Sequence, residues 1–397
     1  MEKINAQDLN KHLEFLVNKI GPRPVGSLNN QRAQAYIADV FRSNKLLVSE
    51  PAFDCIDWHG SKVTLTIDST KINACISPLS VPCDIRTEMI LAENISELEN
   101  KNFENKIVVL SGELSKEALM PKNFVFYNPE NHQKIIKLLE NKKPSGIVTI
   151  AHDDKAVFPI IEDGDFCIPS AYVSKSEGEK IISHINYEAA LKIVSERKES
   201  QGANVIGLKQ GKNKQKIVVC AHFDTKPTTP GAIDNASGTA VLLRIAELMR
   251  DKKIDNNLEF VAFNGEDYYS VPGQMQYLND NVMENIALVI NVDGVGIKNR
   301  KIGVAYINIE ESRREKFLEL HHEYKNIRQI EPWVQGDHSM FTMQGIPALA
   351  ITSEDIFDLL ESIIHSPEDT FDKVDHNLIE ETARFVIDIL LQIEKSL

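Results

Sequence analysis

Cysteine is scarce in this 397-residue chain: Cys55, Cys75, Cys83, Cys167 and Cys220 are odd in number and never spaced C-x-x-C. That excludes a disulfide framework and reads as reduced thiols in a cytosol. No run of about 18 apolar residues occurs, which excludes a membrane-spanning helix. The opening residues, Met1 to Asp8, hold no apolar h-region and no small-residue cleavage site, so export by the usual signal is not expected. Positive charge is in deficit: 44 Lys and Arg against 58 Asp and Glu leave a net charge of −14, with no basic stripe. Nucleic acid is therefore not the expected partner. Repeats of 20–50 residues and low-complexity segments are also missing, so solenoids, collagens and disordered tails drop out. What remains is 42% apolar, enough for a sizeable core, at a length that suits about two to three domains.

Hydrophobic spacing predicts amphipathic helices over 9–20, closed by Gly21-Pro22, and over 29–45, where Ala33, Tyr36, Ile37, Val40 and Phe41 share a face. From about 59 to 198 the signals become short β-like runs at 63–67, 106–110 and 146–150, with a helical pattern at 131–142. This block reads as a compact β-rich α/β insert. After residue 204, buried strands at 216–220, 258–263, 286–290 and 348–351 alternate with helices at 236–250, 312–324 and 377–394, as in a parallel sheet covered on both faces. Such sheets bind ligands beyond the carboxyl ends of their strands.

Metal-capable side chains cluster there. His222 and Asp224 follow the first of these strands, and the loop Gly231-Ala232-Ile233-Asp234-Asn235-Ala236-Ser237-Gly238 opens the next helix. Gly265-Glu266-Asp267 follows the second strand, Asn291-Val292-Asp293-Gly294 the third, and His365 through Thr370 comes after the fourth. Imidazole and carboxylate without thiolate is a donor set for catalytic zinc, or for cobalt or manganese. With this many donors, two ions sharing one carboxylate and activating one water fit better than one crowded ion. Residues i and i+2 at a strand end point the same way, so Asp224 is placed to orient the His222 ring. Adjacent residues diverge, so one member of the Glu266-Asp267 doublet can bind metal while its neighbour acts as general base.

These motifs resemble the co-catalytic di-zinc aminopeptidases and their glutamate-carboxypeptidase-like relatives. The likeness extends to Gly21-Pro22-Arg23-Pro24-Val25-Gly26-Ser27, Asn204-Val205-Ile206-Gly207, Gly336-Asp337-His338-Ser339 and Gly345-Ile346-Pro347-Ala348. It implies an α/β fold with a mixed, largely parallel sheet flanked by helices, and a peptide or small amide as substrate. It also implies two Zn2+ ions: His222 and Asp293 on the first, Asp267 and His365 on the second, and Asp234 bridging. Glu266 would be the general base and Asp224 a carboxylate supporting His222. The middle block is similar to a protease-associated insertion, carried by Lys106-Ile107-Val108-Val109 and Ile168-Pro169-Ser170-Ala171-Tyr172-Val173-Ser174. The peptidase domain would then comprise 1–58 and 199–397, with 59–198 inserted.

Two positions depart from the resembled pattern. Asp267 stands where aminopeptidases usually carry Glu, and the stretch 359–364 lacks an aromatic found before the histidine in many relatives. A carboxypeptidase or an amidohydrolase on N-acylated amino acids stays open as an alternative, as does a non-catalytic binding protein on a peptidase fold. Outside the cluster, Asp337 and His338 are expected near the cleft in supporting roles, His321-His322 on a solvated face, and Cys220 in the core. Trp58 and Trp333 are expected to pack in the core or at a domain contact. No sequence feature establishes an oligomeric state.

Overall fold

The computed structural model describes residues 6–154, 157–359 and 363–396. The first five residues, part of the reading on export, and 360–362, part of the stretch before His365, lie outside the described residues. The chain divides into two compact units, Met1–Cys55 with Ser200–Leu397, and Ile56–Glu199.

In the first unit eight strands form a sheet in the order Leu47–Ser49, Val205–Lys209, Asn257–Phe263, Lys216–His222, Ile286–Val292, Ala348–Ser353, Ile302–Ile307, Ile327–Gln329. The middle four are mutually parallel. Val205–Lys209 and Ile302–Ile307 flank that block and run antiparallel to its outermost strands, Asn257–Phe263 and Ala348–Ser353. The sheet is thus mixed with a parallel heart, the α/β class expected. Three of the four parallel strands run two residues past their expected ends, to His222, Val292 and Ser353. Their neighbours continue the backbone ladder there, so polar residues such as Asn291 remain in the sheet.

The period-two alternation of strand side chains separates two chemistries. Ile217, Val219 and Ala221 join Phe260, Ile290 and Leu349 in the main core. Val218, Cys220 and His222 point to the opposite face. There Cys220 donates to Asn291 Oδ1 at 3.4 Å, and Lys216 meets Glu259 at 2.9 Å. Burial raises the Cys220 thiol pKa well above its ordinary value. Gly238–Met249 is apolar nearly all round, and a helix of that kind must be buried. It is packed against Ala6–Glu14, Leu28–Ser43 and His376–Ser396. The helix expected over 9–20 is α-helical to Glu14, continues as a π-helical turn over Phe15–Ile20, and ends at Gly21 with φ 78°. Ser27 caps the next helix by accepting from Asn30 N–H.

His321 differs from the solvated pair expected. Its Nε2 lies 2.6 Å from the Tyr306 hydroxyl and its ring packs edge-on against Phe385, because the helix Glu311–His321 turns this position inward.

The second unit is an α/β layer of its own. Parallel strands Cys83–Ala92, Ile107–Leu110, Gly146–Ile150 and Ser170–Val173 lie side by side, and Glu188–Ala203 pairs antiparallel with the first of them. An apolar cluster lies on each face, one around Met89, Val109 and Leu191, the other around Val108, Leu139 and Phe166. Trp58 donates from Nε1 to the Ser80 carbonyl at 2.9 Å.

One glycine in the first unit marks a close approach of helix and sheet. A Cβ on Gly238 would sit 2.3 Å from the Val292 carbonyl and 2.3 Å from Asn235 Oδ1. Backbone cannot yield there cheaply, so Gly238→Ala is expected to cost about 1–3 kcal/mol or more, read as a lowered urea midpoint. Wild-type stability in that variant would contradict the packing described.

Candidate metal centre

The Lys216–His222 strand is flanked by Asn257–Phe263 on one side and Ile286–Val292 on the other. Successive connections therefore leave in opposite directions, and a crevice opens at the carboxyl ends where they part. His222 is the last residue of the central strand, and its carbonyl accepts from Thr239 Oγ1 at 2.8 Å. Asn235 links the neighbouring loops: its Nδ2 donates to Val292 O at 2.9 Å, and its Oδ1 accepts from Gly238 N and Gly294 N. That ties the loop carrying Asp234 to the loop carrying Asp293. The peptide between Asp234 and Asn235 is cis.

Asp234 turns each of its oxygens to a different imidazole. Oδ1 lies 3.0 Å from His222 Nε2, which is also 3.4 Å from Asp293 Oδ1. Oδ2 lies 2.9 Å from His365 Nε2, which is also 3.1 Å from Asp267 Oδ1. Glu266 Oε2 stands 4.0 Å from His222 Nε2. His222 and Asp267 are buried, whereas Glu266, Asp293 and His365 keep partial access to solvent. His365 adopts a left-handed backbone conformation at φ 59°. Although Asp267 is shorter than glutamate, its carboxylate reaches the cluster and shares a ligand-sized space with His222 and Asp234.

The donor set fits zinc. Two donors each about 2.0–2.1 Å from a tetrahedral zinc stand about 3.3 Å apart. The four imidazole–carboxylate separations above bracket that value. Both ring nitrogens of His222 and the Oδ2 of Asp267 are buried without a hydrogen-bond partner. Close approach without hydrogen-bond geometry suits a shared cation better than a shared proton.

Asp224 plays a broader part than expected. Its Oδ1 is 3.6 Å from His222 Nδ1, beyond hydrogen-bond reach. The carboxylate instead accepts backbone N–H groups from Gly265 at 2.8 Å, Glu266 at 3.2 Å and Asp267 at 3.0 Å. It therefore shapes the loop that presents the acidic doublet. Asp337 is buried and accepts from Gln274 Nε2 at 2.8 Å. Burial, opposed by His222 and reinforced by Asp293 and Asp224, pushes its carboxyl up to about 8. His338 Nε2 donates to Trp333 O at 3.0 Å, and the Trp333 ring packs on His338 and Phe357.

Two further residues meet the site without having been singled out from sequence. Arg23 is fully buried against the 223–231 loop, and Asp369 accepts from the backbone of Ile233 and Asp234. Both lie inside motifs that carry the family resemblance, which was the available signal.

The charges respond to one another. Burial works against ionising Asp234, but its imidazole contacts outweigh this and hold the carboxyl well below the usual range. Burial likewise opposes protonation of the imidazoles. Asp293, with contacts to Asp224 and Asp234, reverses that for His222, and Asp267 with Asp234 reverses it for His365, so both pKa values rise well above 6.5. A raised pKa means that the metal-free site holds protons at neutral pH and must release them when a metal enters. Calorimetric zinc titration at pH 7, in buffers of different ionisation enthalpy, should report release of up to about two protons from this pair, with affinity rising with pH. Heats independent of the buffer would contradict it.

Residues 204–390 match the model of Peptidase family M28. The chain is 24% identical over 400 residues to Aminopeptidase YwaD of Bacillus subtilis, covering 94% of this chain and 81% of that protein. A probable leucine aminopeptidase of Arthroderma otae is 25% identical over 284 residues, 67% of this chain and 78% of the relative. Among solved structures, BSAP, a zinc aminopeptidase from Bacillus subtilis, superposes with a TM-score of 0.80 at 20% identity, over 98% of this chain and 95% of that one. The aminopeptidase from Aneurinibacillus sp. strain AM-1 gives 0.78 at 21% identity, over 98% and 93%. The segment that matches the family model, residues 204–390, holds every side chain of the cluster.

Proposed function

We propose that the chain is a zinc-dependent aminopeptidase whose centre takes two ions bridged by Asp234. His222 and Asp293 would hold one ion, and Asp267 and His365 the other. The observation that carries this reading is the division of the Asp234 carboxylate between two imidazoles, each with its own second carboxylate. Its relatives named as aminopeptidases support the reaction type.

When bound, zinc supplies a Lewis acid that polarises the scissile carbonyl and makes water a stronger acid. Glu266 takes the proton from the attacking water as the new C–O bond forms, and returns it to the amine as the C–N bond breaks. Its environment suits that role. Burial leads the upward shift of its pKa, the surrounding Asp293, Asp267 and Asp337 add to it, and His222 opposes it. A carboxylate of raised pKa is the better base near neutral pH. Asp224 keeps Glu266 in place through the loop amides it accepts. The unit Ile56–Glu199 is read as a protease-associated-type insertion, supported by its compact β-rich α/β layer. Five free thiols support a reducing, cytoplasmic setting.

Aminoacyl-anilides paired with their N-acetylated copies test the substrate class. Chelator-sensitive hydrolysis of only the free-amine members is expected; cleavage of only the blocked members would replace this reading with an amidohydrolase or carboxypeptidase. Glu266→Gln should lower kcat by about 10²–10⁴-fold while zinc stoichiometry stays unchanged. Turnover near wild type would remove Glu266 as the base.

A further inference from the structure

We propose that Arg23 and Asp369 act together as positioning residues for the metal centre, gripping the 223–234 loop so that His222 and Asp234, at its two ends, keep a fixed separation. The proposal rests on the metal-centre reading above. Arg23 comes from the amino-terminal segment and Asp369 from the carboxyl-terminal one, and neither touches the reacting groups.

Arg23 is fully buried, yet its guanidinium donates to main-chain carbonyls: Nε to Phe223 at 2.5 Å, Nη1 to Pro230 at 2.8 Å, Nη2 to Gly231 at 3.0 Å, and Nη1 more weakly to Gly21 at 3.4 Å. Its own N–H donates to Thr225 Oγ1 at 3.0 Å. One planar fork therefore joins the start of the loop, just after His222, to its end, just before Asp234. Asn30 accounts for the other side of Arg23. It donates to the Arg23 carbonyl and exchanges amide bonds of 2.9 Å in both directions with Asn264, which anchors the segment to the end of the Asn257–Phe263 strand.

Asp369 holds the far end of the loop. Its Oδ1 accepts from Ile233 N at 2.7 Å, its Oδ2 from Asp234 N at 3.0 Å, and its carbonyl from Ala232 N at 3.2 Å. Three consecutive amides, ending with that of Asp234, are thus fixed by one residue. The loop is close-packed at Gly231. Gly231 has φ 64°, and a Cβ there would lie 2.3 Å from Thr225 Cγ2, 2.5 Å from the Asp234 carbonyl and 3.2 Å from Arg23 Nη2.

Charge explains the pairing. Asp369 is buried near Asp234, and like charges in a low-dielectric site repel. Burial first, then Asp234, pushes the Asp369 carboxyl up to about 7, against the loop amides and Arg23. Arg23, pulled down to about 10 by burial, is in turn supported by Asp369, Asp224, Asp234 and Asp267. The guanidinium therefore supplies both the carbonyl fork and a fixed positive charge behind the acidic crevice. Lysine keeps the charge but not the fork. Asparagine at 369 keeps one acceptor and turns an NH2 toward a backbone N–H.

Zinc affinity, measured by competition with a chromophoric chelator, tests the clamp, with the melting temperature of the metal-free protein measured in parallel. Arg23→Lys and Asp369→Asn are each expected to lose about 10–100-fold in zinc affinity, the range typical of groups that orient metal-binding side chains. Ile389→Val, a buried change in the carboxyl-terminal helix, serves as the control: it should lower the melting temperature and leave affinity intact. Should Arg23→Lys fail to fold, Asp369→Asn carries the test. Wild-type zinc affinity in a folded variant, with only its melting temperature lowered, would reduce the pair to ordinary structural residues and overturn the clamp alone. Wild-type protein that binds no zinc would overturn the clamp together with the metal-centre reading beneath it.

Discussion

Concentrated negative charge is the constraint around which the first unit is arranged. Asp224, Asp234, Glu266, Asp267, Asp293 and Asp337 share one crevice with the imidazoles of His222 and His365. Removing a carboxylate from water costs several kcal/mol unless something compensates it. The compensation differs from residue to residue. Asp224 has three backbone amides, Asp337 has the Gln274 amide, and Asp234 has two imidazoles. Asp293 faces His222, and Asp267 faces His365 with the Lys226 ammonium 3.9 Å away, which is where a divalent cation fits.

The sheet makes that concentration possible by assigning its two faces different work. Apolar positions of the parallel strands fill the core beneath the Gly238–Met249 helix. The alternate positions, among them Cys220, His222, Glu259 and Asn291, carry the polar chemistry. Because the strand ending at His222 lies where the connections part, the crevice opens beside the residue best able to use it.

Much of this was legible from local pattern. Each parallel strand was marked by an apolar run, and His222, Glu266, Asp267 and Asp293 followed such runs within a few residues, so strand ends and chemistry could be read together, while Asp234 and His365 lay further along the loops. Less visible were roles that depend on pairing across the chain. Asp224 looked like a partner for the His222 ring because it is two residues away; the bonds it makes are to amides more than forty residues on. His321 looked solvated because its helix is rich in Glu and Lys, but the helix face it occupies meets Tyr306 and Phe385. Strand lengths were underread for a similar reason, since Asn291 stays in the ladder through hydrogen bonds that its neighbours provide.

The sequence by itself determined which chemistry the protein can hold: imidazole and carboxylate without thiolate, an acidic doublet, and apolar strands to carry them. Those properties reside in side-chain identity and in periods of two and 3.6, which are local. Tertiary structure alone decided that Asp234 divides its oxygens between His222 and His365, and that Arg23 and Asp369 close on the loop between the two ends of the site. The contacts made by His365, Arg23 and Asp369 join residues more than a hundred positions apart. Their geometry exists only once packing of the sheet and helices has overcome the entropy of bringing such distant segments together.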